Sequence, residues 1–232
     1  MSNKLSELEK KIGLKFTDQK LLTNAFIHRS YINENKTGGQ ETNEKLEFLG
    51  DSVLSLITSL YLYQTHPDLT EGSYTDIKAS IVRTNALATA AKKLQLGAYL
   101  KLSKGEEDNN GRNNNSILAD CFEALIAAIY LQFGLDLTTQ FISQFLFEDT
   151  LENTIKEKLY LPTKNKLQEF YQEKYRRLPE YKIISEKGPQ HDKTYVVGVF
   201  LKNQLIAKGV GKSKKQAQEK AAAIALSMLN KI

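Results

Sequence analysis

Two short stretches of this 232-residue chain carry acids at spacings that could do chemistry. In Asn43-Glu44-Lys45-Leu46-Glu47-Phe48-Leu49-Gly50-Asp51-Ser52-Val53-Leu54, Glu47 and Asp51 are one helical turn apart, and in Asp120-Cys121-Phe122-Glu123 so are Asp120 and Glu123. Either spacing puts both carboxylates on one face of a helix, with Cβ atoms about 5–6 Å apart. Leu46, Phe48, Leu49, Val53 and Leu54 surround the first pair; Ile117, Leu118, Leu125 and Ile126 surround the second. Acids in such apolar company are costly to bury unless they are paired or bind metal. A set of hard oxygen ligands meeting at one point suits Mg²⁺, with Mn²⁺ able to substitute. Divalent ions acting in pairs can activate water and neutralise charge on a leaving oxygen. The residues alone also fit helix-surface acids in ordinary ion pairs. Cys121, the sole cysteine, lies between two of these acids and reads as a small core residue rather than a further ligand.

The elements that must carry these acids read as helices. Residues 1–158 show apolar stripes at helical spacing over Leu5–Leu14, Asp18–His28, 43–64, Ser73–Leu96 with Gly97 as a stop, Ser116–Phe133 and Leu137–Lys158. No sustained alternation interrupts them, which predicts an all-α domain. Thr37–Gln40 and the Asn-rich Lys104–Asn115 read as solvated loops. The helical pattern stops around Glu157–Pro162.

Beyond that point the rhythm changes. Asn165–Arg177 is an amphipathic helix, and Tyr181–Ser185, Thr194–Leu201 and Gln204–Val210 are strand-like. Ser213 is placed to cap a last helix over Ser213–Leu229. The order α-β-β-β-α describes a small α+β domain. Charge divides in the same place. Residues 1–158 hold 17 Lys/Arg against 21 Asp/Glu, and residues 159–232 hold 15 against 6. A compact basic part attracts a polyanion, although charge alone also fits a solubilising tail or a membrane-surface contact. Lys212, Lys214 and Lys215 fall at a helix N-terminus, where backbone N–H groups already favour phosphate. Gly211-Lys212-Ser213 is not a nucleotide-binding P-loop, because Ile206 stands where its first glycine belongs. Met1–Lys20 is charged throughout and no stretch has roughly 18 uninterrupted apolar residues, so the expectation is a soluble cytoplasmic protein with no membrane partner. One cysteine excludes an internal disulfide and fits a reducing compartment.

The run Asn43–Leu54 resembles the signature of the ribonuclease III family, and Ser116-Ile117-Leu118-Ala119-Asp120-x-x-Glu123-Ala124-Leu125 resembles its second acidic motif. His28-Arg29-Ser30-Tyr31 matches a further family pattern, with His28 itself reading as a packed, hydrogen-bonded residue. Lys166-Leu167-Gln168-Glu169, Gly188-Pro189-Gln190-His191 and the run Gly209–Ala217 resemble a double-stranded RNA-binding domain. The two resemblances stand in the order of a bacterial ribonuclease III, and imply a catalytic domain at 1–156, a linker at 157–161 and an RNA-binding domain at 162–232. They imply that Glu47, Asp51, Asp120 and Glu123 bind the metals, with Asp51 and Glu123 central to catalysis and Glu44 and Glu71 assisting. They imply that Asn165, Gln168, Glu169, Gln172 and His191 reach the RNA minor groove while the three lysines clamp the phosphates across the major groove. Such groups can read the 2′-hydroxyl and so tell RNA from DNA. The implied activity is a homodimeric endonuclease that cuts both strands of double-stranded RNA, leaving 5′-phosphate and 3′-hydroxyl ends. Its implied substrates are structured precursors, ribosomal RNA especially. The competing expectation is a binding protein with a catalytically silent helical domain, which would have lost one or more of the acids. Lys45, Tyr195 and the Asn-rich loop depart from the usual pattern, and none removes an acid.

Overall fold

The computed structural model describes residues 2–35, 41–189 and 192–229, so the readings at Thr37–Gln40, Gln190 and His191 lie outside the described residues. The chain divides into two compact units, Met1–Tyr160 and Leu161–Ile232.

The first unit is helical: α1 (Ser2–Ile12), α2 (Gln19–Asn24), α3 (Arg29–Asn35), α4 (Glu44–Thr65), α5 (Glu71–Ile81), α6 (Thr84–Lys93), α7 (Lys104–Asp108), α8 (Asn115–Ile142) and α9 (Glu152–Lys156). Short caps set several starts. Asp18 accepts from the N–H of Lys20 and Leu21, Thr70 from Ser73, and Asn114 from Ser116 and Ile117. The centre of the unit is α4 packed along α8. Val53, Leu54, Ile57 and Leu62 of α4 and Leu118, Phe122, Leu125, Ile126 and Ile129 of α8 are buried in one core. Gly50 is what allows the close crossing: a Cβ there would stand 1.9 Å from the carbonyl oxygen of Glu123. The crossing therefore places the two acidic stretches against each other.

Some sequence expectations are corrected. The stripe over Ser73–Leu96 is two helices, because Arg83 turns to extended backbone with ψ 149° between them. The corner is invisible to periodicity, since both helices bury apolar residues on either side of it. Lys104–Asn115 is not a plain loop but α7 and a 3₁₀ turn at Gly111–Asn113, capped by Ser103 and tied down by Arg112, whose Nη1 donates to the carbonyls of Gly97 and Leu100. Local polar bonds, not apolar spacing, hold this segment. The stretch Leu137–Lys158 changes winding, with a π-helical turn at Ser143–Leu151 before α9, and Gly134 kinks α8 with φ +78°. Asn115–Glu148 is long and apolar enough, on average, to cross a bilayer, yet most of it is buried here as the core helix of the unit.

The second unit runs α10 (Thr163–Tyr175), β1 (Glu180–Lys187), β2 (Thr194–Leu201), β3 (Gln204–Gly211) and α11 (Lys214–Leu229). The strands form one antiparallel sheet in the order β1-β2-β3. Lys202 and Asn203, both at positive φ, close the β2–β3 hairpin. Leu167, Tyr171, Val199, Ala207, Ala221, Ala222 and Ala225 form the core between helices and sheet. The small side chains let α11 lie close, and at Gly209 a Cβ would stand 2.2 Å from the backbone nitrogen of Ala221. The fold class is the expected one: an all-α unit followed by an α-β-β-β-α unit.

Candidate metal centre and nucleic-acid interface

Glu47 lies in the first turn of α4, where the helix dipole favours an acid, and Asp120 and Glu123 lie in the second turn and just beyond in α8. Across the Gly50 crossing, Glu47, Asp120 and Glu123 each offer an oxygen, and these oxygens all lie within 4.8 Å of one another. All three side chains are half-buried. Asp51, one turn further along α4, is exposed and outside this set. Its charge is still the largest electrostatic contribution at Glu123.

Burial, and at Glu47 and Glu123 the crowding of like charge, disfavour the ionised form of these carboxyls. Burial, then the charges of Asp51, Glu47 and Asp120, push the Glu123 carboxyl up to about 8. Burial and the neighbouring acids Asp120, Glu44 and Asp51 raise Glu47, although Arg29 opposes them. Burial raises Asp120, with His28 and Arg29 pulling the other way. Such a group gains stability by collecting a cation. Its donors are all carboxylate oxygens, which suits a hard divalent ion. Cys121 is fully buried and its thiol is pushed up by burial, so it is core and not a ligand.

A pocket of about 290 Å³ opens beside the acids, lined by His28, Arg29, Asn43, Glu44, Glu47 and Asp120. Glu44 thus joins the group; it accepts from Thr42 Oγ1 at 2.8 Å and pairs with Arg29 at 3.8 Å. Glu71 does not line this pocket: it is exposed and opens α5, with Thr75 donating to it at 3.1 Å. His28 is packed and hydrogen-bonded as expected, with Nδ1 2.8 Å from Ser30 Oγ. It also faces the acids. The segment that holds it is tied by an isolated bridge between Ile27 and Lys101 and by the Asn43 N–H donating to Ile27 O, neither of which a local pattern announces. Sequence reasoning missed Arg29 and Asn43 as pocket residues. Asn43 heads the signature run, and that position was the signal available.

In the second unit, Asn165, Gln168, Glu169 and Gln172 line one open concavity of about 320 Å³ with Leu161 and Leu178, so one face of α10 presents all four together. Lys212, Lys214 and Lys215 are exposed around the start of α11, whose first turn is closed by Ser213 Oγ accepting from Gln216 N. Lys212 Nζ donates to Asp192 at 2.5 Å, and Lys214 lies 3.8 Å from Glu186 and over the Tyr195 ring. Lys212 and Lys214 thus each face an acid. The His191 position lies outside the described residues.

Residues 18–150 match the family model Ribonuclease-III-like, and residues 163–229 match that of the double-stranded RNA binding motif. Ribonuclease 3 of Geobacillus sp. (strain WCH70) is 44% identical over 99% of this chain and 92% of its own length. Ribonuclease 3 of Natranaerobius thermophilus is 44% identical over 97% of this chain and 96% of its own. Among solved structures, the nuclease domain of ribonuclease III from Campylobacter jejuni superposes with a TM-score of 0.57 at 33% identity, covering 62% of this chain and 94% of that one. A second structure of that domain (TM-score 0.56, 33% identity, 61% of this chain and 94% of that one) concerns structural flexibility in the region involved in its dimer formation.

Proposed function

This chain belongs to the ribonuclease III family and is an endoribonuclease of double-stranded RNA, and on that premise we propose how its residues do the work. Glu47, Asp51, Asp120 and Glu123 hold divalent ions, Mg²⁺ in the cell and Mn²⁺ as a substitute. When bound, the ions supply an activated water and offset charge on the leaving oxygen. The observation that carries this reading is the approach of the Glu47, Asp120 and Glu123 oxygens to within 4.8 Å across a glycine crossing. Asp51 and Glu123 are the acids closest to the chemistry; Glu44, and Glu71 from the start of α5, assist at the margin. The bond broken is that between phosphorus and the 3′-oxygen, leaving 5′-phosphate and 3′-hydroxyl ends.

Residues 1–156 form the catalytic part, 157–161 the linker and 162–232 the binding part. In the binding part the amides and carboxylate of Asn165, Gln168, Glu169 and Gln172 meet 2′-hydroxyls in the minor groove, joined by His191. Lys212, Lys214 and Lys215 meet phosphates. A module of this type spans about 16 base pairs and reads shape more than sequence. Each catalytic part serves one strand, so a homodimer serves two. Exposed Phe48, Leu56, Leu60 and Tyr63 along α4 and Leu131 and Leu135 on α8 provide the apolar surface for it. The substrates are precursors of ribosomal and other structured RNA in the cytoplasm.

The test is cleavage of a labelled RNA duplex of a few helical turns by wild type and Glu123→Gln, each with Mg²⁺ and with EDTA. The expected outcome is Mg²⁺-dependent cutting by wild type, with the mutant slowed more than about a hundredfold, the upper end of what losing even an outer-shell partner costs. RNA binding by the mutant should persist. A wild type that binds the duplex and never cuts, with Mg²⁺ or Mn²⁺, would make this a binding protein.

A further inference from the structure

Asn43 occupies the N-cap position of α4 but makes no cap bond with its side chain. Asn114 and Thr70, in the same position on α8 and α5, do make one. The difference lies in the backbone. Asn43 has ψ −7°, while Asn114 and Thr70 are extended with ψ 124° and 160°. Its main chain is fixed at both ends, the N–H donating to Ile27 O and the carbonyl accepting from Glu47 N, each at 2.8 Å. The side chain is only 2% exposed, and its Nδ2 has neither solvent nor a hydrogen-bond partner. Buried amide donors are rarely left in this condition, and one that is calls for an explanation, a role at a functional site or a bound ion among them. The acceptors at hand are those of the pocket it lines: Glu44, Glu47 and Asp120. Glu44 is already engaged by Thr42 and Arg29. Asp120 accepts from its own backbone N–H, no side-chain donor meets it or Glu47 among the described residues, and both belong to the acid group that would take up an ion.

We propose that Asn43 is a positioning residue of the ion site, its side-chain N–H donating to the carboxylates of Glu47, one turn along α4, and Asp120, across the pocket, when they carry a divalent ion. A carboxylate that gives one oxygen to a cation keeps lone pairs on the other, and a neighbouring donor fixes its orientation. A neutral amide does this without adding positive charge that would compete with the cation, which Arg29 in the same pocket would do. The role rests on the reading of the acids as ion ligands given above.

Mn²⁺ binding to the full-length protein without RNA, followed by paramagnetic resonance of the free ion, tests it with Asn43→Ala, Asn43→Leu and Asn43→Ser. Leucine keeps the branching but is bulkier and removes the donor, alanine removes the donor without added bulk, and serine is smaller but keeps one. Alanine and leucine should weaken Mn²⁺ binding roughly tenfold or more, and should raise the Mg²⁺ concentration for half-maximal cleavage in parallel. Serine should recover most of both, and KM for RNA should stay at the wild-type value in all three. Thermal melting of each variant separates folding from ion binding. Equal weakening by serine and leucine would make Asn43 a packing residue, unchanged Mn²⁺ binding in all three would remove any role at the ion, and weaker RNA binding in EDTA would make it a phosphate contact; each overturns the proposal. If wild type itself binds no Mn²⁺, the failure lies with the reading of the acids instead.

Discussion

Glu123 is the carboxyl whose proton the fold controls most clearly, and that has a consequence for stability. Its folded-state value of about 8 lies above the ordinary 4.5, so the folded protein holds a proton that the unfolded chain has released. Stability of the ion-free protein should therefore fall as pH rises from about 5 to about 8. Urea unfolding across that range should show a shallower loss in Glu123→Gln, and Mg²⁺ should reverse the wild-type loss by binding the ionised form. In the second unit, Lys212 and Lys214 meet acids only at the surface, where ion pairs are weak, and Lys215 is exposed beside them. Replacing each by alanine should weaken RNA binding at every sequence alike and lower the slope of log affinity against log salt by about 1 per lysine, read by fluorescence titration.

At the scale of elements, the site depends on how closely α4 approaches α8. Helices that cross over ordinary side chains sit about 8–10 Å apart. At Gly50 the backbone of one helix meets the backbone of the other with no room for a methyl group. Gly50→Ala should cost about 3 kcal/mol or more, at or above the usual range for overpacking, because rigid backbone and not a flexible side chain must move. Chemical unfolding would measure the loss. Cleavage of the surviving folded fraction should fall as well, since the displaced crossing separates Glu47 from Asp120 and Glu123. The same logic explains why so small an element as the Ile27–Lys101 bridge matters: it sets His28 and Arg29 beside the N-terminus of α4.

For the whole molecule, the proposed twofold pairing rests on the exposed row of α4. Phe48 is 78% exposed and one residue after Glu47, so the surface that would join two copies begins beside the surface that would cut RNA. A buried aromatic anchor at an interface is worth about 2 kcal/mol or more, or roughly thirtyfold in Kd. Sedimentation of Phe48→Asp should show monomer at concentrations where wild type is dimeric, with the acid group and its Mn²⁺ binding intact. The charge division adds a second expectation at this scale. With 15 basic against 6 acidic residues after position 158, most of the salt-sensitive attraction for RNA belongs to the second unit.

The amino-acid sequence alone determined the class of both units, and it nominated the four acids, the polar residues of α10 and the lysines at the start of α11. Those features are local: spacing of three or four residues assigns a helix face, and a motif is read where it stands. What lay beyond it was long-range. The corner at Arg83, the short helix inside the Asn-rich segment and the change of winding after Ile142 depend on packing and on local polar bonds that apolar periodicity does not record. That Glu47 joins Asp120 and Glu123 while Asp51 stands apart depends on a backbone contact at Gly50 between residues more than seventy positions apart. Asn43 gives the plainest case. Its sequence position says helix cap; in the tertiary structure its N–H donates to Ile27, its ψ is −7° rather than extended, and its buried Nδ2 caps nothing while the residue lines the acidic pocket.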